Sequence, residues 1–124
     1  MKKLGRILAL AMILALALTA TAGAEGIQGK QISVMTPYLA SVTTNQMVEY
    51  LKAGLQEQGA TVTVINTNND FAELASRIED VVSASTDAIV LVSADPSQIE
   101  NQLKDAFGAN IPVFGCDSGF IEGM

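Results

Sequence analysis

Four short polar segments hold the residues of this chain that could do chemistry: Tyr38 to Asn45, Asn66 to Asn69, Ser93 to Asp95, and Asp117-Ser118. They offer hydroxyls, amides and carboxylates, with Tyr38 as a stacking face, and contain no lysine or arginine. Such a set exchanges hydrogen bonds but carries no counter-charge for an anion, so it suits a neutral, hydroxyl-rich solute. Asp117 stands apart because no helix begins behind it for a carboxylate to cap. Its two oxygens can accept from two adjacent hydroxyls at once. Asn68 and Asn69 read chiefly as turn formers, and Asp95 and Thr43 as helix caps. The candidate ligand-binding residues are Asp117, Ser41, Thr43, Thr44, Tyr38, Asn45 and Ser118. Catalysis has less to work with, since 124 residues contain no histidine and one cysteine. The commonest general base and metal ligand are missing, so no enzymatic activity, metal or cofactor is expected.

Hydrophobic spacing shows which elements must position these segments. Gln31 to Thr36 reads as a strand stopped by Pro37, which cannot donate to a ladder. Met47, Leu51 and Leu55 form one helical stripe, with Thr43 and Gln46 at capping-box spacing and Gly59 past the carboxyl end. Thr61 to Asn66 alternates around Val62 and Val64 as a second strand. Phe71, Leu74, Ala75, Ile78, Val81 and Val82 then recur at helical spacing. Ala88 to Val92 is a continuous apolar run, the pattern of a strand covered on both faces. Asp95-Pro96 opens a third helix with Ile99, Leu103, Ala106 and Phe107 as its buried stripe and Gly108 as its close. Ile111 to Gly115 is the fourth strand. Strands alternating with helices through short loops predict an α/β fold, with right-handed βαβ crossovers and a parallel, Rossmann-like sheet. Such sheets bind ligands beyond the carboxyl ends of their strands, where all four polar segments fall.

The amino-terminal end reads as an export signal. Lys2, Lys3 and Arg6 precede the apolar run Ile7 to Leu18, and Ala22-Gly23-Ala24 supplies small residues for cleavage before Glu25. A run of that length is too short to span a hydrocarbon core roughly 30 Å thick. No cysteine lies near the cleavage site, so a lipid anchor is not expected and the periplasm is the natural address. Residues 25–124 then form one domain. Removing the signal leaves four cations against thirteen acids, a formal charge of −9. That balance argues against nucleic acid, whose phosphates call for lysine and arginine, and against anionic lipid. Cys116 reads as a small buried thiol without a disulfide partner. Only Ser118 to Met124 follow Asp117, with no helix to cover the fourth strand. A sheet with an uncovered face and an open edge should be prone to associate, so a longer native polypeptide is expected.

Gln31 to Ser118 resembles the first half of the amino-terminal lobe of type 1 periplasmic sugar-binding proteins, the ribose-binding-like family. The resemblance is carried by Val64-Ile65-Asn66-Thr67-Asn68-Asn69-Asp70, Ile78-Glu79-Asp80, Thr86-Asp87-Ala88-Ile89-Val90-Leu91, and Ala109-Asn110-Ile111-Pro112-Val113-Phe114 leading to Asp117. It implies a monomeric receptor of two lobes that closes around a sugar, hands it to the permease of an ABC importer, and performs no chemistry. It also implies that residues after the first strand and an aspartate at position 117 hold the sugar. The chain departs from the family pattern twice. Ser41-Val42-Thr43-Thr44 stands where an Asn-Pro-Phe-Phe type segment often supplies aromatics, and Ser118 stands where an arginine often follows the aspartate. The resemblance therefore implies a sugar without naming ribose.

Two other readings fit the same fold class. In an exported flavodoxin-like carrier or α/β enzyme, Ser41, Thr43 and Thr44 would cradle a phosphate at a helix start, though that loop lacks glycine. In a sensory receptor, the same lobe would present its solute to a chemoreceptor or kinase.

Overall fold

The computed structural model describes residues 26–124; the proposed export signal lies outside them. Four strands, β1 (Gln31–Thr36), β2 (Thr61–Asn66), β3 (Ala88–Val92) and β4 (Val113–Cys116), alternate with three helices, α1 (Val42–Glu57), α2 (Phe71–Ser83) and α3 (Glu100–Gly108). The strands form one parallel sheet in the order β2-β1-β3-β4, as the alternating pattern predicts.

Every residue of β3 is buried, because β3 pairs on both edges and is covered on both faces. Its side chains divide by parity. Ile89 and Leu91 join Met35 of β1, Val113 of β4, Leu74 and Ile78 of α2, and Leu103 of α3 in one core layer. Ala88, Val90 and Val92 join Ile32 and Val34 in the other, under Val48, Met47, Leu51 and Leu55 of α1. Two helices thus cover one face and a single helix the other. Phe114 projects onto the thinly covered side and is 56% exposed. It borders an apolar groove of about 680 Å³ that Leu51, Leu55 and Val90 also line.

All three helices end in the same way. Gly59, Ser85 and Asn110 take left-handed φ of 90°, 58° and 58°, and the N–H of the following residue reaches back to Leu55, Val81 and Ala106 respectively. This is the Schellman close, which satisfies carbonyls the helix would otherwise leave bare. It corrects two sequence expectations. Gly108 is the last helical residue, and Asn110 makes the turn. Ile111 belongs to the close, and β4 starts only at Val113, where pairing with Ile89 begins. The helix starts differ as well. Ser41, not Thr43, caps α1, accepting from the Thr44 N–H at 3.5 Å. Asp95 and Pro96 open a 3₁₀ turn (Pro96–Ile99) before α3 begins at Glu100. Cys116 is half-buried rather than buried, because β4 is an edge strand whose α1 side lacks a covering helix; its Sγ lies 3.9 Å from Met47 Sδ.

At the amino end of the sheet, Asp87 accepts from the Gln31 N–H at 2.7 Å and pairs with Lys30 at 3.3 Å. The backbone hydrogen bond first, and Lys30 after it, hold the Asp87 carboxyl below its ordinary pKa.

Two outcomes are expected from this packing. Leu91→Ala should lower the unfolding free energy by about 2 to 5 kcal/mol in urea titration, whereas Phe114→Ala should change it by less than about 1 kcal/mol. For Asp87, a lowered native pKa means that its stabilising contribution is present above the unfolded pKa and is lost as pH falls through the native value. Asp87→Asn should therefore unfold at lower urea than the parent near neutral pH. The two curves should converge as pH falls below the native pKa of Asp87, where the carboxyl is protonated in both states.

Candidate functional site

The strand order sets the position of the site. From β1 the chain crosses outward to β2, then passes back over β1 to β3, so the direction of winding reverses between β1 and β3. Loops leaving these two neighbours run to opposite faces and open a crevice at their carboxyl ends. A pocket of about 460 Å³ lies there. It draws on the exits of all four strands: Tyr38, Ser41, Thr43 and Thr44 after β1, Asn68 and Asn69 after β2, Ser93 after β3, and Asp117 after β4.

Local chemistry holds each wall. Thr36 Oγ1 accepts from the Tyr38 N–H at 3.1 Å, and Asn66 Oδ1 accepts from the Leu39 and Asn68 N–H groups at 3.3 and 3.2 Å. The Tyr38 ring meets Phe71 edge-on at a centroid distance of 6.2 Å, which orients a ring that remains 37% exposed. Asn68 and Asn69 stand at left-handed φ of 49° and 66°, a conformation asparagine tolerates well. The Asn69 N–H donates to the Pro37 carbonyl at 2.6 Å and ties the second loop to the first.

The exits of β3 and β4 are locked together. Ser93 and Asp117 both adopt left-handed φ, 54° and 50°, and the Ser93 N–H donates to the Cys116 carbonyl at 3.0 Å. Ser93 Oγ donates to Asp117 Oδ2 at 3.0 Å and accepts from Thr44 Oγ1 at 3.1 Å. One hydroxyl thereby joins the first turn of α1 to the aspartate.

Of the residues read from sequence as ligand-binding, the structure brings Tyr38, Ser41, Thr43, Thr44 and Asp117 into one pocket. Asn45 and Ser118 do not line it. Asn45 is exposed on α1 with its N–H donated to the Ser41 carbonyl, and Ser118 Oγ donates to the neighbouring Gly119 carbonyl. Ser93, Asn68 and Asn69 line it as well; the sequence put them in ligand-facing segments but read the asparagines chiefly as turn formers and did not place Ser93 among the candidates. A small polar residue directly behind the most buried strand was the available signal for Ser93. Asp95 turns to its own helix, where hydrogen bonds from the Ser97 side chain and then its N–H hold its carboxyl below the ordinary pKa.

No cation lines the pocket. Lys30, Arg77 and Lys104 are engaged in ion pairs with Asp87, with Glu73 and Asp80, and with Glu100. Among the described residues no group of three His, Cys, Asp or Glu side chains is placed to hold a metal ion.

Comparison with known proteins matches this fold. The chain is 25% identical over 87 residues to the ribose import binding protein of Bacillus subtilis (strain 168), covering 67% of this chain and 28% of that protein. An ABC transporter solute-binding protein from Agrobacterium vitis, solved with bound allitol, superposes with a TM-score of 0.71 at 23% identity, over 76% of this chain and 32% of the other. A carbohydrate transporter from Acidothermus cellulolyticus 11B, solved with myo-inositol, gives 0.61 at 26% identity, over 73% and 32%. The chain spans about a third of the length of these relatives. The model of the periplasmic binding protein domain matches residues 32–123, nearly the whole described fold, and the chain belongs to that family of solute-binding proteins.

Proposed function

We propose that this chain supplies the solute-capturing wall of an extracytoplasmic receptor for a sugar or polyol. The carrying observation is the crevice at the β1/β3 reversal, lined by hydroxyls, amides and one carboxylate without a cation. A phosphate or sugar acid would meet Asp117 without compensation, whereas a polyol offers the hydroxyl hydrogens that a carboxylate accepts. The related proteins solved with allitol and myo-inositol support the same solute class.

The remainder of the reading rests on the family. Residues 1–24 act as a cleaved export signal, residues 25–124 form part of an amino-terminal lobe, and the receptor works as a monomer in the periplasm. A second lobe closes over the solute, excludes water, and presents the closed form to the permease of an ABC importer. The protein binds and releases without changing a covalent bond, and it engages no nucleic acid.

A polyol titration tests this reading. Ribose, allitol and myo-inositol at millimolar concentration should shift the backbone amide resonances of Tyr38, Thr44, Ser93 and Asp117. Asp117→Ala should weaken that response roughly tenfold or more, since a lost charged partner costs about 1.5 to 3 kcal/mol, while the unliganded spectrum elsewhere stays unchanged. A full response in the variant would remove Asp117 from the site. No response to any polyol would overturn the proposed solute class.

A further inference from the structure

Three oxygens line up across the floor of the pocket: Thr44 Oγ1, Ser93 Oγ and Asp117 Oδ2, spaced 3.1 and 3.0 Å apart. The direction of their hydrogens follows from chemistry. A carboxylate can only accept, so the Ser93 proton must point at Asp117. Ser93 Oγ then has only lone pairs to turn toward Thr44, so the Thr44 proton points at Ser93. Both hydroxyl protons are consumed within the row. What remains toward the pocket is a lone pair on Thr44, one on Ser93, and the free capacity of the Asp117 carboxylate. Burial grades along the row: Thr44 is only 4% exposed, Ser93 is half-buried and Asp117 is exposed, so the two hydroxyls are screened from water more than the carboxylate is.

We infer that the Thr44–Ser93–Asp117 row is an acceptor-only strip, with Ser93 as the positioning residue that fixes its polarity, and that it selects solutes by their donors. The inference rests on the polyol reading and sharpens it. A hydroxyl or an ammonium group facing the row is accepted, so amine-bearing polyols belong to the solute class. An ether oxygen, a carbonyl or a fluorine at that position is disfavoured, because it would leave acceptor against acceptor. Donors elsewhere in the lining are the hydroxyls of Tyr38, Ser41 and Thr43 and the amides of Asn68 and Asn69.

The test is a substitution series on myo-inositol, with each hydroxyl replaced in turn by fluorine or by an amino group, titrated against the full chain and followed by amide shifts. Fluorine keeps the size of a hydroxyl and cannot donate. In the parent protein, fluorine at one ring position should weaken binding at least about tenfold, and the amino group at that same position should bind as well as the hydroxyl or better. Ser93→Ala releases the Thr44 proton, so the fluorine penalty at that position should shrink to about threefold or less, a selective change that a general loosening of the site would not produce. A parent that binds every fluorine analogue as it binds myo-inositol sinks the acceptor strip while leaving the polyol site standing. An unchanged pattern in Ser93→Ala removes Ser93 from the role. Silence toward ribose, allitol and myo-inositol alike overturns the polyol reading, and the strip with it.

Discussion

The site depends on one constraint: β3 must be buried on both faces and paired in parallel on both edges. A parallel partner cannot be reached by a tight turn, so each neighbour of β3 arrives through a helical crossover. With β2 on one side of β1 and β3 on the other, right-handed crossovers must use both faces, and the reversal of winding falls between β1 and β3. The crevice is therefore a product of the core. Five consecutive apolar residues, Ala88 to Val92, fix where it opens.

That same burial explains why the exits of β3 and β4 have unusual backbone. A strand buried to its last residue must leave the sheet abruptly, and Ser93 does so at left-handed φ directly after Val92. Asp117 repeats the turn one strand over. Left-handed φ is costly for a residue with a Cβ, and serine and aspartate offset part of that cost by bonding locally. Here the two bond each other, and the Ser93 N–H bonds the Cys116 carbonyl between them. The aspartate is held by a neighbour that emerged by the same route, and both line the pocket.

Much of this was legible in the sequence. The apolar run of β3, the alternation of β2 and the stripes of α1 and α2 are patterns with a single sensible period, and the structure places them within a residue or two of the expected bounds. What the sequence obscured was decided by hydrogen bonds between separate segments. Ile111 looks like a strand residue because it is apolar, yet its N–H is taken by Ala106, so the strand starts two residues later. Thr43 sits at capping-box spacing, yet the loop tied down by Asn66 and Thr36 brings Ser41 to the cap first. Cys116 looks buried by composition, but burial depends on what lies over β4, which no local pattern encodes. Ser93 was hidden for a related reason. Its role comes from partners 49 residues before it and 24 after it, and a lone serine announces neither.

The charges complete the argument for a neutral or cationic solute. An acidic chain could still build an anion site if its few cations were gathered there. Instead Lys30 is paired with Asp87 at the amino ends of the strands, the far side of the sheet from the crevice, while Arg77 and Lys104 serve acids on their own helices. Exposed pairs like these add little stability. Their consequence is electrostatic: none of the four cations among the described residues, Lys52 included, lines the crevice, whose one carboxylate, Asp117, already holds the proton of Ser93. Such a surface repels a phosphate before contact and rewards a group that brings its own hydrogen, which makes the polarity of the pocket, rather than its shape alone, the first filter on what it can hold.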